Sequence, residues 1–249
     1  MEWGPAGVEV LGPDCAVVVV VDVLSFSTSV DIAVGRGAAV VPQRHGDPAA
    51  ALAEATRIGA VPAGDRAGAG PSLRPSSLVE LAAGTTLALP SPNGATLCVA
   101  AAAFDLVVLA GCLRNAAAVA ATADRIGGPI GLVAAGERWP DGTLRPAVED
   151  AIGAGAIAAR LSGRSPEADL AAAQFTAARE RGLLDVLAAS ASGQELIADG
   201  YRADVALAAD LDSSSAVPRL SSGYGPDGAI LLARDRTVSL GELGAKHSL

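Results

Sequence analysis

The sequence predicts an α/β fold built on a mostly parallel sheet. A nearly continuous run of β-branched residues near the start of the chain is typical of a strand covered on both faces. Strand-like and helix-like stretches then alternate at the lengths of βαβ units. Hydrophobic residues make up 51% of the 249 residues but aromatic residues only 3%, so the core has to be built from Ala, Val, Leu and Ile. Such small side chains let helices pack closely on a sheet.

The first strand is predicted over residues 16–24, with the sequence AVVVVVDVL. Residues 25–36 follow as a helix whose first turn is rich in hydroxyl groups. A second helix is expected over residues 47–58, because Asp47 suits the N-cap and Pro48 suits the first helical position. With a short strand between the two helices, this order gives the first βαβα unit.

The rest of the chain continues the same alternation and then becomes helical. Further strands are predicted at residues 38–42, 85–89, 106–110, 130–134 and 228–233. Further helices are predicted at residues 95–103, 115–126, 147–161, 166–181, 183–190, 192–199 and 203–209. Two long connections, 59–77 and 135–146, are expected to be loops, and long loops in compact domains are usually functional or mobile. We expect one domain over residues 1–249, which could divide into two lobes with a cleft between them.

Composition and charge exclude several classes of function. A net charge of −9 without a basic stripe argues against nucleic acid as a partner. The longest apolar run, residues 97–104, is too short to span a bilayer, and no signal peptide is recognised, so a soluble cytoplasmic protein without a membrane partner is expected. Three widely spaced cysteines indicate reduced thiols, and two histidines make a multi-histidine site improbable.

Candidate ligand-binding residues follow the predicted strands, since ligands bind where the carboxyl ends of strands meet helix N-termini. Asp22 ends the first strand, and Ser25, Ser27 and Thr28 begin the next helix, which together offer a carboxylate and an anion cradle. The alternative is that the hydroxyls cap the helix and Asp22 takes backbone hydrogen bonds. Arg66, in the first long loop, could grip a phosphate or carboxylate with two hydrogen bonds, or form a surface ion pair with its neighbouring acid.

Two more candidate segments lie later in the chain. Asn93 and Gly94 form a turn before a helix, where Asn93 could cap that helix, present N–H groups to an anion, or do both. Glu149 and Asp150 stand at the start of an Ala- and Gly-rich helix. Acidic oxygens near a phosphate site suit Mg²⁺, which needs only one or two carboxylates plus waters. Stabilisation of the helix dipole is the alternative role for these two acids.

Taken in order, these segments resemble the 2-phosphosulfolactate phosphatase (ComB) family. The matching features lie across nearly the whole chain, and it is their order that is specific: Asp22 to Thr28, Gly64 to Arg66, Asn93-Gly94, Gly111 to Asn115, Ala135-Gly136, Glu149-Asp150, Gly155 to Ile157, Ser192 to Leu196, Asp204-Val205, Asp212 and Val217-Pro218. The resemblance implies a three-layer α/β/α fold with a mostly parallel or mixed sheet, and a homodimer. It also implies a Mg²⁺-dependent phosphatase of coenzyme M synthesis that acts on a small phosphorylated acid.

The resemblance also assigns roles to residues. It places Mg²⁺ beside Asp22, Glu149 and Asp150, which would be both metal ligands and catalytic residues. The phosphate-binding side would comprise Ser25, Ser27, Thr28, Arg66, Asn93, Gly94 and Asn115. These assignments require acids from the beginning and the middle of the chain to meet around one cation.

Departures from the family pattern affect the anion-binding groups more than the acids. The family's typical Arg after D-V-L is Ser25 here, and the loop G-E-R-G-G reads GDRAG. We therefore expect phosphatase chemistry with altered substrate specificity, with Arg114, Arg138 and Arg145 as replacement cations. Two alternatives stay open: a non-catalytic small-anion binding protein on the same scaffold, and a metal-dependent lyase or isomerase.

Overall fold

The computed structural model describes residues 1–44, 46–221 and 231–235. Within these residues the strands are β1 (Glu2–Trp3), β2 (Val17–Val21), β3 (Ala39–Arg44), β4 (Val61–Pro62), β5 (Thr86–Ser91), β6 (Val107–Gly111), β7 (Ile130–Ala134), β8 (Glu137–Arg138), β9 (Leu144–Arg145), β10 (Pro218–Ser221) and β11 (Leu231–Arg234). The helices are α1 (Gly4–Leu11), α2 (Phe26–Gly35), α3 (Pro48–Arg57), α4 (Gly94–Ala101), α5 (Ala116–Ile126), α6 (Val148–Ala158), α7 (Pro166–Arg181), α8 (Leu183–Ala189), α9 (Ala191–Ala198) and α10 (Arg202–Ala208). A 3-10 helix covers Pro75–Leu78.

Nine of the described strands form one mixed sheet in the order β1-β7-β2-β6-β10-β11-β3-β5-β4. The strands β1, β7, β2 and β6 are mutually parallel, and so are β3, β5 and β4. Between these groups, β10 and β11 pair antiparallel with each other and with their outer neighbours. The two parallel groups therefore run in opposite senses, which makes the sheet mixed.

Helices cover both faces of this sheet, which confirms the predicted three-layer α/β/α fold. The side chains of β2 alternate between two cores: Val17, Val19 and Val21 lie in one, and Val18 and Val20 in the other. The first core is filled from α5, α6 and α7, and the second from α1, α2 and α4. All five residues of β2 are fully buried, as expected for a strand at the centre of such a sheet.

Small residues allow α6 to lie between the sheet and α7. Ten of the eleven residues of α6 are buried, from Glu149 to Ala158. A Cβ atom added to Gly155 would lie 1.9 Å from the backbone oxygen of Ala171 in α7, and one added to Gly153 would lie 2.5 Å from Cγ2 of Val23. The Ala-Gly sequence of this helix is therefore a packing requirement, and it fixes where Glu149 and Asp150 stand.

Several short elements were not predicted from the sequence. The first strand and helix, β1 and α1, precede the predicted start of structure, and the expected loop 135–146 contains the β8–β9 hairpin. The expected loop 59–77 likewise holds β4 and the start of the 3-10 helix, and β10 was missed. Strands of two residues have no readable periodicity, and they form only because a neighbouring strand supplies hydrogen bonds.

Some predictions are not decided by the described residues. Of the last predicted strand, residues 228–230 lie outside them, while β11 covers its end and Arg234. The two histidines of the chain, His45 and His247, also lie outside the described residues. The division into two lobes stays a prediction. None of the helices described is long and apolar enough to cross a membrane.

Candidate active site

Asp22 follows β2 directly and is held by two backbone N–H groups. The N–H of Phe26 donates to its Oδ1 at 3.1 Å, and the N–H of Gly94 donates to its Oδ2 at 2.8 Å. Its side chain is buried, and burial raises the pKa of Asp22. The two N–H groups and the charge of Arg66 oppose that rise, while Glu149 adds to it. The Leu24–Ser25 peptide bond that follows is cis.

Asp150 joins the start of α6 to the loops that follow β2 and β7. Its Oδ1 accepts from the N–H of Val23 at 2.7 Å, and its Oδ2 accepts from the N–H of Gly136 at 2.8 Å. Burial raises the pKa of Asp150 well above its usual range, and the charges of Asp22 and Glu149 raise it further. The acids from the beginning and the middle of the chain thus lie together.

Glu149 is buried beside these two aspartates, with only 2% of the residue exposed. It makes no hydrogen bond or ion pair with the residues that the structure describes, although its charge acts on Asp22, Asp150 and Glu137. Its carboxylate oxygens keep some contact with solvent, since neither is a fully buried atom without a hydrogen-bond partner. Glu149 is therefore the acid of this group whose oxygens are most available to a ligand.

Glu137, at the start of the β8–β9 hairpin, completes the group. Its Oε2 accepts from Nδ2 of Asn93 at 2.9 Å, so Asn93 stands at the N-cap position of α4 without capping it through its side chain. Burial, followed by the charge of Asp22, raises the pKa of Glu137 to about 7. We call Asp22, Glu137, Glu149 and Asp150 the acidic pocket. Glu137 lies in the expected loop 135–146, directly after the Ala135-Gly136 match, but no sequence pattern singles it out as a site residue.

Arg66 supplies positive charge at the edge of the acidic pocket. Its Nη2 donates to Oγ of Ser25 at 3.4 Å, and its Nη1 is buried without a hydrogen-bond partner among the described residues. Burial lowers the pKa of Arg66, while Asp204 and Asp22 raise it, in that order. No ion pair with Asp65 is found in the part of the chain that the structure describes, so Arg66 is directed inward and the surface pair is not formed. A buried guanidinium N–H without a partner is a donor available to an anion.

Asp204, at the start of α10, is a further buried acid beside Arg66. It is fully buried, its Oδ1 accepts from the N–H of Ser76 at 2.7 Å, and its Oδ2 has no hydrogen-bond partner within the described residues. The sequence showed it only as one match in the family pattern. A charged residue in the first turn of a surface helix gives no signal of burial, so its position depends on the tertiary structure.

Three predicted anion-binding residues make internal hydrogen bonds. Oγ of Ser27 donates to the carbonyl of Val20, and Oγ1 of Thr28 donates to the carbonyl of Val23 at 2.8 Å. Asn115 is fully buried and braces the loop after β6, accepting from the N–H of Cys112 at 2.9 Å. These groups hold the loops that carry Asp22 and its neighbours, and their role in binding substrate stays a prediction.

The three arginines proposed as replacement cations occupy different places. Arg114 pairs with Asp31 at 3.0 Å, and Arg138 donates to the carbonyl of Gly142 at 3.1 Å on an exposed turn. Arg145 pairs with Glu195 at 3.2 Å, and its charge lowers the pKa of Glu137. Only Arg145 of the three acts electrostatically on the acidic pocket.

Comparison with known protein families decides what this pocket belongs to. The sequence model of the family described as 2-phosphosulpholactate phosphatase matches residues 9–223 of the chain. The chain belongs to the 2-phosphosulpholactate phosphatase family. The match includes the whole acidic pocket, Arg66 and Asp204. No curated protein matches the chain.

The donor atoms of the pocket suit the Mg²⁺ expected for a phosphatase of this family. Across the described ranges, no group of three or more His, Cys, Asp or Glu side chains is arranged to hold a metal ion as it stands. Mg²⁺, however, is bound through one or two carboxylates and completes its octahedral shell with waters. Burial is the main cause of the raised pKa values of Asp22 and Asp150, and neighbouring acids add to it, so a cation bound here would favour their ionised forms. The donor chemistry therefore fits.

Proposed function

We propose that this protein is a Mg²⁺-dependent phosphatase that hydrolyses a phosphate monoester of a small acidic molecule, either 2-phosphosulfolactate or a related phosphorylated hydroxy acid. The observation that carries the proposal is the position of Arg66. Its Nη1 has no hydrogen-bond partner among the described residues, and its guanidinium is attracted to Asp22 and Glu137 of the acidic pocket. An anion donor next to clustered hard oxygen ligands is the arrangement that metal-assisted phosphoryl transfer needs.

The phosphate would be bound on the Arg66 side of the pocket. Arg66 would donate from Nη1 to a phosphate oxygen and, because it also contacts Ser25, would hold that oxygen beside the loop that follows Asp22. Asn93 and Gly94 at the start of α4 would limit how far the substrate enters, since their polar groups already contact Glu137 and Asp22. Asp204 would orient Arg66 from the opposite side, as its charge is the largest attraction on the guanidinium.

The acids would divide the remaining tasks. The one or two carboxylate ligands of the metal ion would come from Asp22, Glu149 and Asp150, and Glu149 is the least constrained of these by protein hydrogen bonds. The bound Mg²⁺ would polarise the phosphoryl oxygens and offset the negative charge of the pocket and substrate. Water would attack phosphorus and give its proton to a pocket carboxylate as the ester P–O bond breaks. Glu137 would be the acid that protonates the leaving oxygen, because burial raises its pKa to about 7 in the pocket without a metal ion and it can enter the reaction already protonated.

Substrate choice would depend on the groups that replace the family's usual cation. Ser25 is neutral and buried where the family pattern has Arg, so one charge for a second acidic group is absent. Arg145 is the available replacement, because its charge already reaches Glu137. The same change also favours the second candidate, a small-anion binding protein without turnover, since a weaker anion clamp holds the reacting phosphate less firmly.

Activity measurements on matched variants test the proposal. Purified protein would be incubated with a panel of phosphorylated hydroxy acids with and without Mg²⁺, and free phosphate would be measured. We expect metal-dependent release that falls by at least about a hundredfold in Glu149→Gln and in Asp22→Asn. Asp65→Asn, an exposed acid adjacent to Arg66, is the control and should keep wild-type rates.

The three candidate functions predict different results in this experiment. Tight binding of a phosphorylated acid without phosphate release would support the non-catalytic protein, and product without free phosphate would support a lyase or isomerase. Because Asp22 accepts two backbone hydrogen bonds, thermal unfolding of Asp22→Asn must be measured alongside. Full activity in Glu149→Gln would refute the metal-dependent mechanism directly, since Glu149 makes no hydrogen bond with the described residues that its replacement could break.

Location and assembly are proposals of the same kind. A cytoplasmic protein is supported by free thiols at Cys15, Cys98 and Cys112. A homodimer is proposed from the family resemblance. Light scattering at two protein concentrations would test the dimer, with a monomer at both as the contradicting result.

A further inference from the structure

A second pocket lies at the other end of α2 from the acidic pocket. It has a volume of about 340 Å³ and is lined by residues that include Asp31, Arg36, Arg114, Ser214 and Arg234. We call it the Asp31 pocket. Its first residue on α2, Asp31, lies six positions after Ser25, or about 9 Å along the helix axis at 1.5 Å per residue. It therefore shares a helix with the proposed active site but none of the acidic-pocket side chains.

The floor of the Asp31 pocket is a buried carboxylate with one unused oxygen. Asp31 is fully buried, and its Oδ2 accepts from Nε of Arg114 at 3.0 Å. Its Oδ1 has no hydrogen-bond partner in the part of the chain that the structure describes. Burial raises the pKa of Asp31, while the side chains of Ser214 and Arg114 lower it. A buried acceptor without a donor points to a ligand that brings its own proton.

The walls of the same pocket carry positive charge. Arg36 and Arg234 are exposed at its rim, and Arg114 lies deeper, with 13% of its side chain exposed. Arg114 also donates to the carbonyl of Leu207 at 3.1 Å, so its position is fixed by more than the pair with Asp31. Three arginines line the pocket beside Asp31, and Asp210 adds a second acid, with its Oδ2 at 3.4 Å from Nη1 of Arg114. The balance of these charges is still positive, in a chain of net charge −9. An ion pair serving only as a brace would not need the two arginines at the rim.

These two features together restrict the ligand. The arginines require an anion, and Oδ1 of Asp31 requires an O–H donor on that anion. Inorganic phosphate at neutral and mildly alkaline pH has both, because it keeps one O–H. Sulfate has no proton to donate, and a phosphate monoester without other hydroxyl groups, whose second pKa is about 6, has lost its last proton by pH 8. Either anion would leave Oδ1 of Asp31 buried and unpaired.

We propose that the Asp31 pocket is a binding site for inorganic hydrogen phosphate, which the arginines recognise by its ionised oxygens and Asp31 by its remaining O–H. The proposal goes beyond the proposed function and does not rest on it. If the protein is a phosphatase, the ligand is also its product.

Calorimetric titration of the full chain at pH 8, in the presence of EDTA, tests the proposal. The titrations would be made in an Arg66→Gln background, which removes the anion donor of the acidic pocket and leaves the Asp31 pocket intact. We expect phosphate to bind, and sulfate and methyl phosphate, neither of which has an O–H to donate at this pH, to bind at least about tenfold more weakly. Equal binding of phosphate and sulfate, or loss of all phosphate binding in this background, would overturn the proposal.

Two further variants locate the binding. Asp31→Asn replaces the carboxylate by an amide, which can donate a hydrogen bond as well as accept one. The preference for phosphate over sulfate should therefore shrink to within about threefold. Arg234→Gln should weaken phosphate and sulfate alike, whereas Arg125→Gln, an exposed arginine on α5, should change neither. An unchanged preference in Asp31→Asn would contradict the role of Asp31, and Arg234→Gln keeps the site testable if Asp31→Asn does not fold. Hydrolysis plays no part in these measurements, so failure of the proposed function would be seen separately.

Discussion

The backbone N–H of Gly94 donates to Oδ2 of Asp22 at 2.8 Å, across 72 positions of the sequence. These residues follow β5 and β2, which lie five places apart in the sheet and run in opposite senses. In a flat sheet the two strands would be roughly 24 Å apart, at about 4.8 Å per strand. The contact therefore depends on the twist that accumulates across the sheet, together with the chain that extends from each strand end.

A methyl group at position 94 should break this contact. The Cβ atom of Gly94→Ala would lie 2.4 Å from Cδ1 of Phe26 and 2.7 Å from Oδ2 of Asp22. We expect the free energy of unfolding to fall by roughly 1–3 kcal/mol, measured by urea denaturation. Gly70→Ala, where no atom lies within 4 Å of the added Cβ, is the control. Equal stability of the two variants would show that α4 does not approach Asp22 so closely.

At Gly155, where α6 packs against α7, helix propensity and packing predict opposite effects of alanine on stability. Alanine in place of glycine normally stabilises a helix interior by about 0.5–1 kcal/mol. Gly155→Ala should instead destabilise the protein by about 3 kcal/mol or more, because the added Cβ would lie 1.9 Å from the carbonyl oxygen of Ala171. Gly35→Ala on α2, whose nearest contacts are at 4.0 Å, should be neutral or slightly stabilising. Thermal unfolding of both variants measures the difference, and a stabilised Gly155→Ala would rule out the close crossing.

Protonation of Glu137 should appear in the pH dependence of stability without metal. Burial raises the pKa of Glu137 from 4.5 to about 7, so the folded state holds this proton more tightly than the unfolded state. As pH rises from 4.5 to 7, the unfolded chain ionises first, and the free energy of unfolding contributed by this group decreases. Above pH 7 both states are ionised and the loss is complete.

Glu137→Gln removes that titration. In EDTA, the stability of the wild type relative to Glu137→Gln should fall by roughly 1–3 kcal/mol between pH 4.5 and pH 7.5, measured by denaturant titration. Saturating Mg²⁺ should reduce the difference, because a cation favours the ionised pocket. A difference independent of pH would show that Glu137 ionises as it does in the unfolded chain.

The three thiols should react at very different rates in the native protein. Cys98 and Cys112 are fully buried and burial raises their pKa values far above normal, so little thiolate forms. Cys15 is only partly buried, although burial and Asp14 raise its pKa as well. Iodoacetamide followed by peptide mass spectrometry should find Cys15 modified first and the other two only after unfolding. Modification of Cys98 at the rate of Cys15 in native protein would be inconsistent with the buried α4.

Local sequence patterns were sufficient for the long elements. The Val17–Val21 run, the Pro48 helix start and the Ala-Gly pattern of α6 each carry their own periodicity or cap, and the structure has those elements where they were predicted. Two-residue strands and the β8–β9 hairpin carry no such pattern and were read as loop. Glu137 was passed over for the same reason, since its importance comes from the neighbours that the hairpin brings to it.

By itself, the sequence determined the α/β layers, the family and the types of chemical group available, because side-chain periodicity and motif order are local or linear properties. The tertiary structure alone decided which groups meet. It placed Asp22, Glu137, Glu149 and Asp150 in one pocket, turned Arg66 inward, and gave Ser27, Thr28 and Asn115 hydrogen bonds to the backbone. Burial and proximity between distant segments set charge interactions and hydrogen-bond partners, and neither is encoded at any single position of the chain.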